Sequence, residues 1–344
     1  MSQAFLSRGL SVAAIAAAAV LASCSTPAPE APPPPPPAAP PPPVALNESV
    51  AQAASVYVAF VREVGSIKAG FPDAESIQAA IRKGAAYEPG QLSRGMIAYG
   101  SILALQSPEY VAGVRQFGAD PAQRQQMIAR IVLDPAYAAT LPGADAAAGL
   151  IVSTMGKDIA SLTAIAEAVE GDAYTIQERR DPRRRWAVTP IPHREVRLEG
   201  AKTLSVTQLP SAEESARLFA AANNGTGLGL SPARQGAPFT PAVVNSLAIA
   251  ALAALGAAGE DARTNTDALT TESNNEFCLN MSKLMLFQCL AASRPSYEDM
   301  FCTGRHIVRD LASCTAQYTG PTQTPAAPAV TIAASSSAPG GANN

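Results

Sequence analysis

Four cysteines near the carboxyl end, Cys278, Cys289, Cys302 and Cys314, constrain this fold more than any other feature of the sequence. None of these four stands about two to four residues from another, the spacing that a structural zinc site needs. No Cys-x-x-Cys occurs either, which sets aside dithiol redox catalysis and haem attachment. In an exported chain an even set of this kind reads as two disulfides. Residues 272–292 show helical periodicity, and Cys278 and Cys289 are 11 positions apart within it. At about 100° per residue, that interval returns to within roughly 20° of the same face. Arg294-Pro295-Ser296 reads as a turn, after which a second helix runs from Ser296 to about Ala312. Two antiparallel helices favour nested bridges, Cys289–Cys302 beside the turn and Cys278–Cys314 at the open end. The second helix fits this less well. The 12 positions from Cys302 to Cys314 leave the pair about 120° apart. Either Cys314 lies past the helix end or the pairing is not nested. Cys302 and His306, near Met281, Met285 and Met300, also have the softness that suits copper. Methionine at helical spacing is usually core filling, however, so no metal and no cofactor are expected.

The amino terminus carries the clearest address. A short segment with Arg8 precedes an Ala-rich apolar run from Leu10 to Ala22, the layout of an export signal and too short to span a bilayer. It ends in Leu21-Ala22-Ser23-Cys24, which resembles the lipobox of bacterial lipoproteins. The resemblance covers only this segment. It implies removal of residues 1–23, a diacylglyceryl group on the Cys24 sulfur and a further acyl chain on the new amino terminus. Two or more chains make a durable anchor where one does not. Ser25 after the cysteine resembles an outer-membrane address, so the expected place is the periplasmic face of a bacterial outer membrane. Residues 24–46 are rich in Pro and Ala, with Pro32–Pro37 and Pro40–Pro43 uninterrupted. Such a segment favours polyproline II and reads as a tether about 60 Å long.

The body reads as all-α. Apolar residues recur at three-and-four spacing through Val50, Ala54, Tyr57, Val61 and Val64, again from Leu92 to Leu103, and along a longer helix over residues 145–170. Ser107-Pro108 and Asp120-Pro121 pair a capping residue with proline at the first helical position. Phe239-Thr240-Pro241 opens a very apolar helix over residues 242–258. Aromatic residues make up 5% of the chain and hydrophobic ones 47%, so the core must be built from small aliphatic side chains. The expected architecture is an irregular multi-helix domain with a carboxyl-side, disulfide-stapled helical hairpin. Its parts would be a helical subdomain over 47–175, an Arg-rich extended connector over 176–208, a second helical subdomain over 209–318 and a disordered tail over 319–344.

The connector holds the only Trp. Arg179, Arg180, Arg183, Arg184 and Arg185 stand beside Trp186 and are expected either to form a patch for an anionic partner or to be solvated and paired locally. Elsewhere the chain is mildly acidic, 25 basic residues against 28 acidic, without an electrostatic footprint for nucleic acid. Gly225-Thr226-Gly227-Leu228-Gly229 follows a helix rather than a strand, so it reads as a turn and not a nucleotide loop. His193 and His306 have no nucleophile motif beside them. The pattern points to an envelope lipoprotein with a structural, assembly or wall-contacting role, whose partners would be membrane lipid through Cys24 and peptidoglycan or an envelope complex. The other reading is a peptidoglycan-acting enzyme using carboxylates, with Glu213-Glu214 and Glu260-Asp261 among those available.

Overall fold

The structure, a computed structural model, describes residues 40–178 and 182–320. The helices begin where side chains cap them. In α1 (Glu48–Gly65) the Asn47 side chain accepts from Val50 N, and in α2 (Ala74–Ala85) Asp73 accepts from Ser76 N. Proline occupies the first turn of α3 (Pro89–Leu105), α4 (Pro108–Arg115) and α5 (Pro121–Leu133), each capped by the preceding acid or serine. Asp134-Pro135, which resembles another such start, opens only a 3-10 turn. The long helix α6 (Ala144–Glu178) is followed by the short α7 (Arg185–Val188), then α8 (Arg194–Leu204) and α9 (Ala212–Asn224). Then come α10 (Pro241–Ala254), the single turn α11 (Arg263–Asp267) and α12 (Ser273–Ala292). The last helix is continuous from Ser296 to Thr319, as α13 (Ser296–Thr303), a π-helical segment (Gly304–Arg309) and α14 (Asp310–Thr319). No helix among the described residues is long and apolar enough to cross a membrane.

Small residues let the central helices come close. Helix α3 packs on α1 and α10, and both α3 and α10 are buried along most of their length. A Cβ at Gly95 would stand 2.7 Å from the Ala53 carbonyl oxygen and 2.9 Å from Tyr57 Cβ. At Gly100 it would meet the Tyr318 hydroxyl at 2.3 Å and Ser246 Oγ at 2.5 Å. The space that Gly100 leaves is filled by polar contacts. Ser246 Oγ donates to the Ile97 carbonyl at 2.9 Å, and the Tyr318 hydroxyl stands 2.7 Å from Ser246 Oγ and donates to it. Tyr110 makes a similar tie: its buried hydroxyl lies 3.0 Å from both the Ala138 and the Leu247 carbonyl.

Three parts of the expected organisation differ in the structure. The proposed subdomains over 47–175 and 209–318 share one continuous apolar core, because α3 lies against α10 and α1 against α9. The stretch expected to be an extended connector over 176–208 instead contains the end of α6, then α7 and α8. Its apolar residues follow the helical period sparsely: Leu198 packs on the core and Ala201 is buried, while Val196 is exposed. The tether is also shorter than expected, since Leu46 is buried and Arg115 Nη2 donates to the carbonyls of Pro41, at 3.2 Å, and Pro42, at 2.9 Å. Residues 1–39 and 321–344, and with them the signal segment, most of the tether and nearly all of the tail, lie outside the described residues.

The disulfides pair in the nested order, Cys289–Cys302 and Cys278–Cys314, with Cα–Cα distances of 5.7 Å in both. Cys314 does not lie past the helix end. The mismatch of about 120° is absorbed inside the helix, at the π segment. A π turn holds one residue more than an α turn, so the face beyond it is set back by about 100°. The interval between Cys302 and Cys314 then behaves like the 11-residue interval between Cys278 and Cys289 on the facing helix. The π segment is held from α6: Arg309 donates to Glu170 from Nε at 2.7 Å and Nη2 at 3.2 Å. Gly304 lies against Val169 and Glu170 of the same helix.

Two outcomes follow from this packing. Gly95→Ala gains about 1 kcal/mol of helix propensity but drives a methyl into the α1 backbone, and overpacking of that kind costs about 1–3 kcal/mol. Urea unfolding of the variant is expected to show a net loss of about 1–2 kcal/mol. Deleting the exposed Arg305 removes the extra residue of the π turn, so the variant should keep both disulfides by peptide mapping under non-reducing conditions. Deleting Ala312, beyond the π segment, should leave Cys278 and Cys314 unpaired or scrambled.

Candidate functional site

Of the residues that the sequence singles out, Cys24, Arg179 and Arg180 lie outside the described residues, as does the side chain of Arg183. Arg184 is ion-paired to Asp172 of α6, Arg185 faces solvent, and Trp186 is half-buried against the core. Among the described members of this run, Arg184 is thus paired locally while Arg185 is exposed. Farther along, Arg197 works as a staple. Its Nε and Nη2 donate to the two carboxylate oxygens of Asp299 at 2.6 and 2.8 Å, with both side chains almost wholly buried. This ties α8 to the disulfide hairpin.

The histidines stay apart. His193 is exposed and has a positive φ, while His306 Nδ1 lies 3.1 Å from Asp310 Oδ2 on the same helix. Cys302, a possible copper ligand by sequence, is consumed in its bridge to Cys289. No group of three His, Cys, Asp or Glu suited to a metal occurs among the described residues. The glycine run over 225–229 borders a cavity of 650 Å³ against α4 and α6. The cation beside that cavity, Arg234, is already bridged to Glu109 and Asp145 at 2.6 Å each, so it stands as a clasp and not as a phosphate ligand. Lys283 is the most strongly displaced base. Burial pushes it down to about 7, yet its Nζ donates to the carbonyls of Ala85 and Tyr87 at 2.8 Å and to Ser205 Oγ at 3.0 Å. Its three donors are thus committed, with the Tyr87 ring 3.4 Å away, and Lys283 holds the turn between α2 and α3.

One arrangement has both space and uncommitted chemistry. Where α1, α3, α6 and α9 meet, a cleft of 380 Å³ is lined by Tyr57, Tyr99, Asp158, Ser161, Arg62 and Arg217 over an apolar floor that includes Leu162. Glu214 organises the two arginines. It accepts from Arg217 Nε at 3.2 Å and Nη2 at 2.5 Å, and its carboxylate lies 3.7 Å from Arg62. The hydrogen bonds from Arg217 and the Arg62 charge hold the Glu214 carboxyl below its ordinary range. Asp158 is the opposite case: no hydrogen bond or ion pair to it is formed among the described residues, and burial raises its pKa. The tyrosine rings stand 5.9 Å apart at 39°. Burial, with Asp158 adding to it, pushes the Tyr99 hydroxyl up to about 12. The Tyr57 hydroxyl is raised further by burial and has no hydrogen-bond partner; the neighbouring Thr315 hydroxyl donates to the Leu311 carbonyl instead.

This cleft was not among the sites expected from sequence. Asp158 follows Lys157 and precedes Ile159 and Leu162, which mark the core side of a helix with several other acids, and the residues that line the cleft with it come from about 60 to 100 positions away in either direction. The one signal in the sequence is a carboxylate next to the buried stripe of a long helix, a place where a charge is costly. Comparisons with protein-family models, with characterised proteins and with solved structures return no match for this chain.

A carboxylate held above its unfolded pKa lowers stability as pH rises through the interval between the two values, because the folded state binds the proton more tightly. Asp158→Asn is therefore expected to raise the melting temperature at pH 7. The gain should shrink on acidification and vanish below about pH 4, where the unfolded carboxyl is also protonated. Thermal scans of both proteins across this range check it.

Proposed function

We propose that this chain is a lipid-anchored protein of the bacterial envelope, held through Cys24 at the periplasmic face of the outer membrane, which binds or positions an envelope component. The observation that carries the reading is the pair of nested disulfides, which suits an oxidising compartment outside the cytoplasm. The four described cysteines are all consumed in them, so lipid attachment would fall to Cys24, at the end of the lipobox-like Leu21-Ala22-Ser23-Cys24. A binding role is favoured over cleavage of wall polymer by the content of the cleft between α1, α3, α6 and α9. Glycoside hydrolysis requires two carboxyl groups facing each other across the scissile bond, whereas this cleft has a single carboxylate, Asp158, in its lining. Of the acids available by sequence, Glu214 is engaged with arginines and Glu260 accepts from Glu48 N at 2.6 Å.

Metabolic labelling with an alkyne palmitate analogue in a bacterial host tests the anchor. Label should appear on the wild-type chain, be lost in Cys24→Ala, and sediment with outer membranes. An unlabelled wild-type chain recovered with residues 1–23 still attached would overturn the reading. Cosedimentation with purified sacculi then separates direct wall contact from contact with an envelope complex.

A further inference from the structure

The chemistry of the cleft between α1, α3, α6 and α9 is divided between its two ends. At one end Asp158 is a carboxylate without an ion-pair partner among the described residues, and Ser161 lies one turn further along α6. At the other, Arg62 and Arg217 share the single carboxylate of the buried Glu214. Two guanidiniums against one carboxylate leave an excess positive charge, and the bidentate grip of Glu214 fixes the direction of the Arg217 fork. Both arginines keep solvent-facing surface, with 66% of the Arg62 side chain and 44% of Arg217 exposed, so their remaining donors are available to an incoming anion. Between the two ends stands Tyr99, whose ring attracts a cation within reach of Asp158, while Tyr57 beside it is almost wholly buried.

A ligand that answers this pattern carries an ammonium and an oxyanion a few bonds apart. From it we infer that the cleft binds a free α-amino acid, with its ammonium at Asp158 and Tyr99 and its carboxylate at Arg62 and Arg217. The volume of 380 Å³ is at the small end of the range for ligand sites, which suits a molecule of that size. Val58, Val61 and Leu162 offer an apolar wall to the side chain. Binding also accounts for a half-buried carboxylate of α6 that has no ion pair among the described residues, while Asp145, Glu170 and Asp172 of the same helix are paired, since the ligand ammonium supplies the missing counter-charge. The assignment does not depend on how the chain is anchored.

Saturation-transfer NMR on the detergent-solubilised full-length protein, with each of the standard amino acids and D-alanine at about 10 mM, reads this directly. At least one should receive saturation. Its N-acetyl derivative and its methyl ester should each bind roughly tenfold more weakly or not at all, since each lacks one of the two charges. Asp158→Asn should abolish the signal while circular dichroism stays unchanged. Arg62→Gln, at an exposed position, should weaken it. The inference is overturned if no amino acid binds at that concentration, if the N-acetyl derivative binds as well as the parent, or if folded Asp158→Asn binds undiminished. Binding of phosphoethanolamine alone, with every amino acid rejected, would overturn the carboxylate part and move the site to lipid headgroups.

Discussion

The approach of backbone to backbone between α1, α3 and α10 is the constraint on which the remaining helices depend. A core with few aromatic rings gains its burial from many small side chains, and those reach one another only when helix axes come close. Gly95 and Gly100 permit it on two sides of α3, and the Ser246, Tyr318 and Ile97 contacts complete it where the last helix meets the centre. Tyr318 is thus both a core residue and the link by which the carboxyl-side hairpin is fixed to the middle of the fold. The hairpin and the rest of the body are consequently one packed unit, in spite of the charged stretch that separates them in sequence.

The hairpin also shows how far periodicity can be read. Both helices and the turn at Arg294-Pro295 follow from the spacing of residues, and two antiparallel helices favour nested bridges. What did not fit was the register of Cys314, and the misfit was real: an ideal α-helix cannot place Cys302 and Cys314 on one face. The resolution is an inserted residue whose cost is met by Glu170, on a helix more than a hundred positions earlier, gripping Arg309. Spacing within a segment can show that a helix must be irregular. Where it yields is decided by tertiary contacts, which local pattern does not contain.

The same distinction explains what was hidden about the cleft and the connector. The capped, proline-led starts of α4 and α5 and the apolar run of α10 are visible because their cause is local. Helix α8 was obscured because only Leu198 and Ala201 mark its inner side, and its Arg197 is satisfied by the carbonyl of Ser293 and the carboxylate of Asp299 across the fold. Asp158 was obscured for the converse reason. In its own helix it resembles a stray polar residue, and its setting exists only once Tyr57, Tyr99 and Arg217 arrive from three other helices.

The docked segment just before α1 has a mechanical consequence. Ala45 N donates to the Ala253 carbonyl at 3.0 Å, Asn47 N to Ala258 at 2.8 Å, and the Asn47 amide also reaches Thr266 at 3.0 Å. Tension entering from the amino-terminal side would meet these bonds and the two on Pro41 and Pro42 before it reached any buried helix. Peeling residues 41–47 from the surface would lengthen the chain by roughly 20 Å while α1 kept most of its buried face. The fold would then yield first at its leash, and stretch before it unravelled.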